Sequence, residues 1–313
     1  FFESVMAPIG EKIVRENIGN VFIESKGAIV FEGDKYDPKL HTRVFITSQG
    51  IPLYETKEIG LTITKFEKES NLDLSIVTTA IEQGEYMKVV QKAISLMHPE
   101  LEKKMKHITH GMMRLASGKM SSRKGNVVTG ESLLNDSIAV VAEKMKDREF
   151  SDVEKNEISK IVGVSALKYS ILRSSIGSDI VYDFDKSISF EGDSGPYLQY
   201  TAVRAQAILR KAQELQLTTD KEQLIVPTEI TVLEKMLYQF PEVVVHAHTE
   251  LEPHHIATYL TELASAFNSF YGNTLIVNKD DLHTPYRVSI VESFYRTMQN
   301  GLYLLGIQTP NKM

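Results

Sequence analysis

The 313-residue chain contains no cysteine. Disulfide bridges and thiolate metal sites are therefore excluded, and a reducing compartment suits the chain. No apolar run approaches the roughly 18 residues that a membrane-crossing helix needs, so no membrane association is expected. The first residues, Phe1-Phe2-Glu3-Ser4, offer no initiator methionine, basic leader or cleavage signal, and they read as the interior of a longer protein. Positive charge is not in excess either. Against 35 basic residues stand 41 acidic ones, a net charge of −6, so bulk charge does not announce a nucleic-acid binder. Internal repeats and low-complexity tracts are also missing.

What is present is an ordinary globular mixture, 42% hydrophobic and 24% charged, long enough for two domains. Charge is distributed unevenly. Lys103, Lys104, Lys106, Arg114, Lys119, Arg123 and Lys124 crowd into residues 101–130, opposed there by Glu102 alone. A solvated basic face and a phosphate site both fit such a run.

Periodicity divides the chain. Residues 3–17 place Val5, Ile9 and Ile13 on one helical face. Two β-branched and aromatic runs flank Lys26-Gly27 as in a hairpin, and Val44–Thr47 reads as a short strand. A helix over 52–68, a strand over 72–79 and a helix over 86–97 follow. Strand and helix alternate as in an α/β domain with a parallel sheet. These strands are too few for a complete doubly wound domain. From about residue 131 onward no strand is expected, and helical stripes recur over 154–176, 231–248, 254–271 and 285–305, as in an all-α bundle. The expected domains are 1–133 and 134–313.

The segment running from Gly111 to Val128 interleaves glycines with serines, lysines and arginines. Glycine lets backbone approach an anion, hydroxyls donate hydrogen bonds, and Lys and Arg bring mobile charge, which is what a polyphosphate needs. It is not a Walker loop: six residues separate Gly111 from Gly118, and Met120 follows Lys119. Ser121–Lys124 also fits Ser-x-x-Lys, but the companion motifs of that acyl-transfer class are missing.

Three further segments carry chemistry. Tyr54 and Glu58 lie four apart on one helical face. The segment Glu82-Gln83-Gly84-Glu85-Tyr86 follows a strand, where α/β domains bind ligands, although a plain turn explains it equally well. In Glu191–Arg204, Ser194 can cap a helix with Pro196 in its first turn. Leu198, Ala202, Ala205, Leu209 and Ala212 then form an inward stripe. Tyr197, Tyr200 and Arg204 share another face, suited either to a core or to stacking unpaired bases and holding phosphates. The paired histidines, His107 with His110, His246 with His248, and His254 with His255, read as surface residues rather than as a metal site.

The loop Gly118-Lys119-Met120-Ser121-Ser122-Arg123-Lys124 resembles the KMSKS loop of class I aminoacyl-tRNA synthetases, in the form that arginyl enzymes use. The Tyr54–Gly60 segment is similar to that family's Tyr-x-x-x-Asp-x-Gly, and Gly195-Pro196-Tyr197-Leu198-Gln199-Tyr200 resembles the start of its anticodon domain. The resemblance implies the later half of a Rossmann-like class I catalytic domain followed by an all-α anticodon-binding bundle. It implies that Lys119, Met120, Ser121, Ser122 and Arg123 close over ATP, and that Tyr54, Glu58 and Gln83 hold arginine. It implies that Tyr197, Tyr200 and Arg204, with Tyr271 and Met313, meet tRNA.

Two positions depart from the pattern. Ser122 stands where the general motif has its second lysine, leaving Arg123 and Lys124 as candidate cations. Glu58 stands for Asp, one methylene longer. The early His-x-Gly-His segment of class I enzymes does not occur, so a fragment inactive by itself is expected. The expected parent is a cytoplasmic, monomeric arginine–tRNA ligase. Its partners would be tRNA(Arg), L-arginine and ATP with Mg²⁺, and it would bind no metal of its own. A non-catalytic tRNA-binding relative is the alternative. A cysteinyl enzyme is a weaker one, since its zinc site would need cysteine.

Overall fold

The computed structural model describes residues 1–116, 129–217 and 224–313. The chain forms two compact units, Phe1–Met112 and Met113–Met313.

The first unit begins with helix α1 (Glu3–Glu16). Strands β1 (Ile23–Ser25), β2 (Ala28–Glu32) and β3 (Thr42–Ile46) then make an antiparallel sheet in that order. The turn between β1 and β2 is Lys26-Gly27, with both residues at positive φ (49° and 79°), and Ser25 faces Ala28 across it. A two-residue turn of this hand matches the strand twist, and the Lys-Gly pair supplies it. Helix α2 (Tyr54–Lys68) leads to β4 (Ser75–Ala80), a short 3-10 turn (Ile81–Gln83), α3 (Gly84–Met97) and β5 (Met105–His110). Strands β4 and β5 run parallel, in register from Ser75↔Met105 to Ala80↔His110, with α3 as the crossover. This is a βαβ unit, which opens its binding edge beyond the strand carboxyl ends.

Aromatic side chains in and just before the antiparallel sheet fill the core of this unit. The rings of Phe22, Phe31 and Phe45 meet edge-on or tilted at 4.9–6.3 Å. Ile59 of α2 and Val89, Val90 and Ala93 of α3 are fully buried beside them. Helices α1 and α2 cross at Gly10 and Gly60, so closely that a β-carbon on Gly60 would lie 2.3 Å from the Met6 carbonyl oxygen.

The second unit contains β6 (Met113–Leu115), α4 (Gly130–Lys144), α5 (Asp152–Leu172), β7 (Ile180–Tyr182) and the short α6 (Phe184–Ser187). Helices α7 (Gly195–Glu214), α8 (Val232–Glu250), α9 (His254–Asn273) and α10 (Thr284–Leu304) complete it. The helix starts are encoded locally. Ser151 with Glu154 and Thr231 with Glu234 form capping boxes, and Thr129 and Ser194 cap α4 and α7. The bundle core joins Leu198, Ala202 and Ala205 of α7 to Leu260, Leu263 and Phe267 of α9 and to Val291, Phe294 and Met298 of α10. Phe267 and Phe294 stack at 4.0 Å.

The hairpin expected around Lys26-Gly27 is present, and the parallel arrangement begins at β4. Strand β5 lies in the basic stretch after Leu101, where none was read from the sequence. One expectation is corrected. Past residue 131 a strand does occur: β7 pairs in parallel with β6 from Met113↔Ile180 to Leu115↔Tyr182. Three residues are too few to show a period, and the partner lies far away in sequence.

Candidate functional site

In the second unit, α7 sets the geometry. The Ser194 hydroxyl accepts the Tyr197 amide at 3.1 Å, fixing the first turn. Leu198, Ala202 and Ala205 are fully buried, which turns Tyr197, Tyr200 and Arg204 to the other face. Arg204 is the hub. Its guanidinium lies 4.8 Å from the Tyr200 ring centre and 5.3 Å from that of Tyr271 on α9. Its Nη1 donates to Asn268 Oδ1 at 2.7 Å, and Asn268 Nδ2 donates to the Tyr197 hydroxyl at 2.9 Å. Phe190 meets Tyr200 edge-on at 6.4 Å.

These groups border a cavity of about 400 Å³, also lined by Lys144, Arg148, Glu191 and Met313. Tyr197, Tyr200, Arg204 and Met313 line it directly, and Tyr271 joins them through Arg204. Aromatic faces, a planar cation and flanking lysine and arginine suit an unstacked base with its phosphate. Asn268 and Phe190 were not singled out from the sequence. Asn268 does stand one helical turn before Tyr271, a spacing that could have found it.

In the first unit, α2 presents Tyr54 in its first turn and Glu58 one turn later. Tyr54 is exposed, with the Lys57 ammonium 4.8 Å from its ring centre. Glu58 is half-buried, and its Oε1 is buried without a hydrogen-bond partner. Burial pushes the Glu58 carboxyl above its ordinary value, partly offset by the nearby Lys65. Lys65 is pushed down by its own burial and donates to Ser75 Oγ at 2.9 Å. Gln83 ends the 3-10 turn after β4 and stands exposed at the start of α3, beyond the strand's carboxyl end. Among the described residues no hydrogen bond joins Tyr54, Glu58 and Gln83.

Sequence reasoning missed the groups around Glu58. Arg43 of β3 donates to the buried Glu55 at 2.7 Å, with its guanidinium 5.7 Å from the Tyr86 ring centre. Burial, then the carboxylates of Glu58 and Glu55, push the Tyr86 hydroxyl up to about 12. Tyr86 therefore stays a neutral phenol beside Glu58. Only its position three residues after Gln83 hinted at it.

Lys119, Met120, Ser121, Ser122 and Arg123 lie outside the described residues. Of the remaining basic run, Lys104 donates to the Leu72 carbonyl at 3.2 Å and Arg114 pairs with Asp179 at 2.7 Å. The histidines are less dispersed than their spacing suggested. At the α8–α9 corner the rings of His246, His255 and His254 follow one another at 4.3 and 4.1 Å, and His254 pairs with Glu252 at 2.8 Å. Among the described residues no group of three or more such side chains is placed to hold a metal ion, and no helix is long and apolar enough to cross a membrane.

A βαβ unit in one part of the chain, and an aromatic–arginine pocket on a helical bundle in the other, define a class I aminoacyl-tRNA synthetase architecture. The family described as tRNA synthetases class I (R), catalytic domain, matches residues 2–184, and the DALR anticodon binding domain matches residues 198–313. The arginine–tRNA ligase of Clostridium perfringens is 32% identical over 97% of this chain and 54% of its own length. That of Fusobacterium nucleatum is 35% identical over 100% of this chain and 54% of its own. The Thermus thermophilus arginyl-tRNA synthetase structure superposes with a TM-score of 0.82 at 25% identity, covering 99% of this chain and 59% of that one. The chain belongs to the arginyl-tRNA synthetase family. It spans about half the length of the curated relatives it matches.

Proposed function

We propose that this chain supplies the later catalytic half and the tRNA-reading domain of an arginine–tRNA ligase. In the reaction, the arginine carboxylate attacks the α-phosphorus of ATP, forming arginyl-adenylate and releasing pyrophosphate. The 2′-hydroxyl of the terminal tRNA adenosine then attacks the arginyl carbonyl, and AMP leaves. Positioning and charge stabilisation supply most of the rate. Mg²⁺ enters with ATP as part of that substrate.

On this reading, the Glu58 carboxylate accepts hydrogen bonds from the substrate guanidinium, a planar fork of donors that seeks a carboxylate. The neutral Tyr86 bounds the charge beside it. Tyr54 and Gln83 complete the arginine site from the start of α2 and the carboxyl end of β4. Residues 119–123, through their resemblance to the KMSKS segment, are assigned to the ATP phosphates. The catalytic part ends near residue 133, and the helices from 134 on carry tRNA. The intact enzyme works as a cytoplasmic monomer.

The observation that carries the proposal is the Arg204 hub, where two tyrosine rings and an asparagine hold one guanidinium at the edge of a cavity sized for a base. The test is binding of this chain to tRNA(Arg) transcript and to the same transcript with its middle anticodon base changed, at two salt concentrations. Weaker binding of the altered transcript, lost in Arg204→Lys, is the expected result. Equal binding to both with a steep salt dependence reports phosphate attraction alone and overturns the anticodon assignment.

A further inference from the structure

Residues 306–313 leave α10 without regular secondary structure. Gly306, at φ 65°, turns the chain out of the helix. Leu305, Ile307 and Pro310 are buried, but a cavity of about 600 Å³ lies against the same stretch, bordered by Ile158, Ile161, Tyr303 and residues 307–312. Core packing of Leu305 and Ile307 holds the start of this strap. Beyond it, discrete polar anchors act alongside the buried Pro310.

Gln199, fully buried in α7, donates Nε2 to the Gln308 carbonyl at 2.6 Å. Arg210 donates to the Asn311 carbonyl at 3.1 Å, and Lys168 donates to that of Gly306. At the far end, Lys312 Nζ donates to Glu154 Oε1 at 2.6 Å and lies 6.0 Å from the Phe150 ring centre. Glu154 divides its two oxygens between two tasks. Oε2 accepts the Ser151 amide and hydroxyl at 3.0 and 2.9 Å, closing the α5 capping box, which leaves Oε1 for the lysine. The carboxylate is thus held in place by its own helix before it meets Lys312. The next residue, Met313, packs against the cluster of Val141, Met145 and Ile158 and lines the pocket of Tyr197, Tyr200 and Arg204.

From this geometry we infer that Glu154 and Lys312 form a positioning clasp: anchored on α5, it sets the Met313 side chain against the base-reading pocket and so contributes to discrimination between bases. The inference rests on the proposed anticodon reading. Neither residue of the clasp lines the pocket. Each acts through the strap, and the buried Gln199–Gln308 bond fixes the strap's other end.

The experiment measures Kd of this chain for the tRNA(Arg) transcript and for its middle-base variant, in wild type, Lys312→Ala, Glu154→Gln and Met313→Ala. Glutamine at 154 keeps the capping-box geometry and removes the ion pair. The expected result is that both clasp variants lower the discrimination ratio by about fivefold, the scale of an exposed ion pair. Thermal unfolding should stay close to that of wild type. Combining Lys312→Ala with Met313→Ala should add little, because both remove the same positioned side chain.

If wild type itself fails to discriminate, the anticodon reading falls. If wild type discriminates and the clasp variants do so equally well, the clasp inference falls and the anticodon reading stands. Equal weakening of both transcripts in Lys312→Ala, with a shallower salt slope and no effect of Glu154→Gln, makes Lys312 a phosphate contact and also overturns the clasp.

Discussion

Substituting Gly60 by alanine tests whether the placement of Tyr54 and Glu58 depends on backbone contact between α1 and α2. The added methyl would lie 2.3 Å from the Met6 carbonyl oxygen, 2.8 Å from the Gly10 amide nitrogen and 3.2 Å from Gly10 Cα. All three obstacles are backbone atoms, so no side chain can rotate out of the way. Relief needs the two helices to separate by about 1 Å, which forfeits a quarter to a half of each contact along the crossing. Overpacking of this kind costs about 3 kcal/mol, at the upper end of the usual range. Alanine returns about 1 kcal/mol through its better helix propensity. The net expectation is a loss of about 2 kcal/mol, a large share of a typical domain's stability.

With a urea slope of about 2 kcal/mol per molar, the midpoint should fall by about 1 M. Hydrogen–deuterium exchange of peptides from α1 and α2, followed through a urea series, reads this locally. Gly272→Ala is the control: it is a helical glycine of α9 with nothing within 4 Å of an added β-carbon, so it should cause no loss. An unchanged midpoint for Gly60→Ala would refute the crossing as described. A clear loss, accompanied by weaker arginine binding, would tie the crossing to the presentation of Glu58.

Two further outcomes are expected. Glu58→Gln should weaken arginine binding by about 10- to 100-fold, the scale of a hydrogen bond to a charged group, as measured by calorimetry. Because burial raises the Glu58 carboxyl above its ordinary value, the ionised form is present only above that raised value. Wild-type affinity should therefore fall as pH drops through it, a limb that the Gln variant lacks. A flat wild-type profile would remove Glu58 from the site. Ser194→Ala deletes the cap of α7 and should cost about 1 kcal/mol, visible as lost exchange protection at the start of that helix. Unchanged protection there would show that packing alone sets the entry of Tyr197 into the pocket.

Sequence legibility followed the physical scale of each signal. The long helices were readable because α7, α9 and α10 carry apolar stripes over five turns or more, and the burial of Leu198, Ala202 and Ala205 matches the stripe expected from spacing. The β1–β2 turn was readable because Lys26-Gly27 carries a local backbone requirement. Strand β5 was hidden because Lys106-His107 and Thr109-His110 break any alternation with Met105 and Ile108, in a run dominated by charge. Strands β6 and β7 were hidden because each is three residues long and exists through the other.

At the candidate sites, the residues that could be named from the sequence were those within compact motifs: Tyr54, Glu58, Tyr197 and Arg204. Arg43, Glu55 and Lys65 did not, since ion pairing and burial between distant elements leave no periodic trace. The histidine cluster shows the same limit, because His246 meets His255 only through the corner between α8 and α9.

The Arg204 hub has a consequence for how specificity in this pocket can change over evolutionary time. One cation is shared by Tyr200, Tyr271 and, through Asn268, Tyr197. Altering any one of these partners reorients the guanidinium for the others. Their contributions are therefore not separable increments, and single substitutions would disturb every contact at once. On the proposed reading, a shift in the base recognised would need coordinated replacement on α7 and α9, two helices joined by a common core. Such a pocket resists gradual drift, and its side chains are expected to change together or not at all.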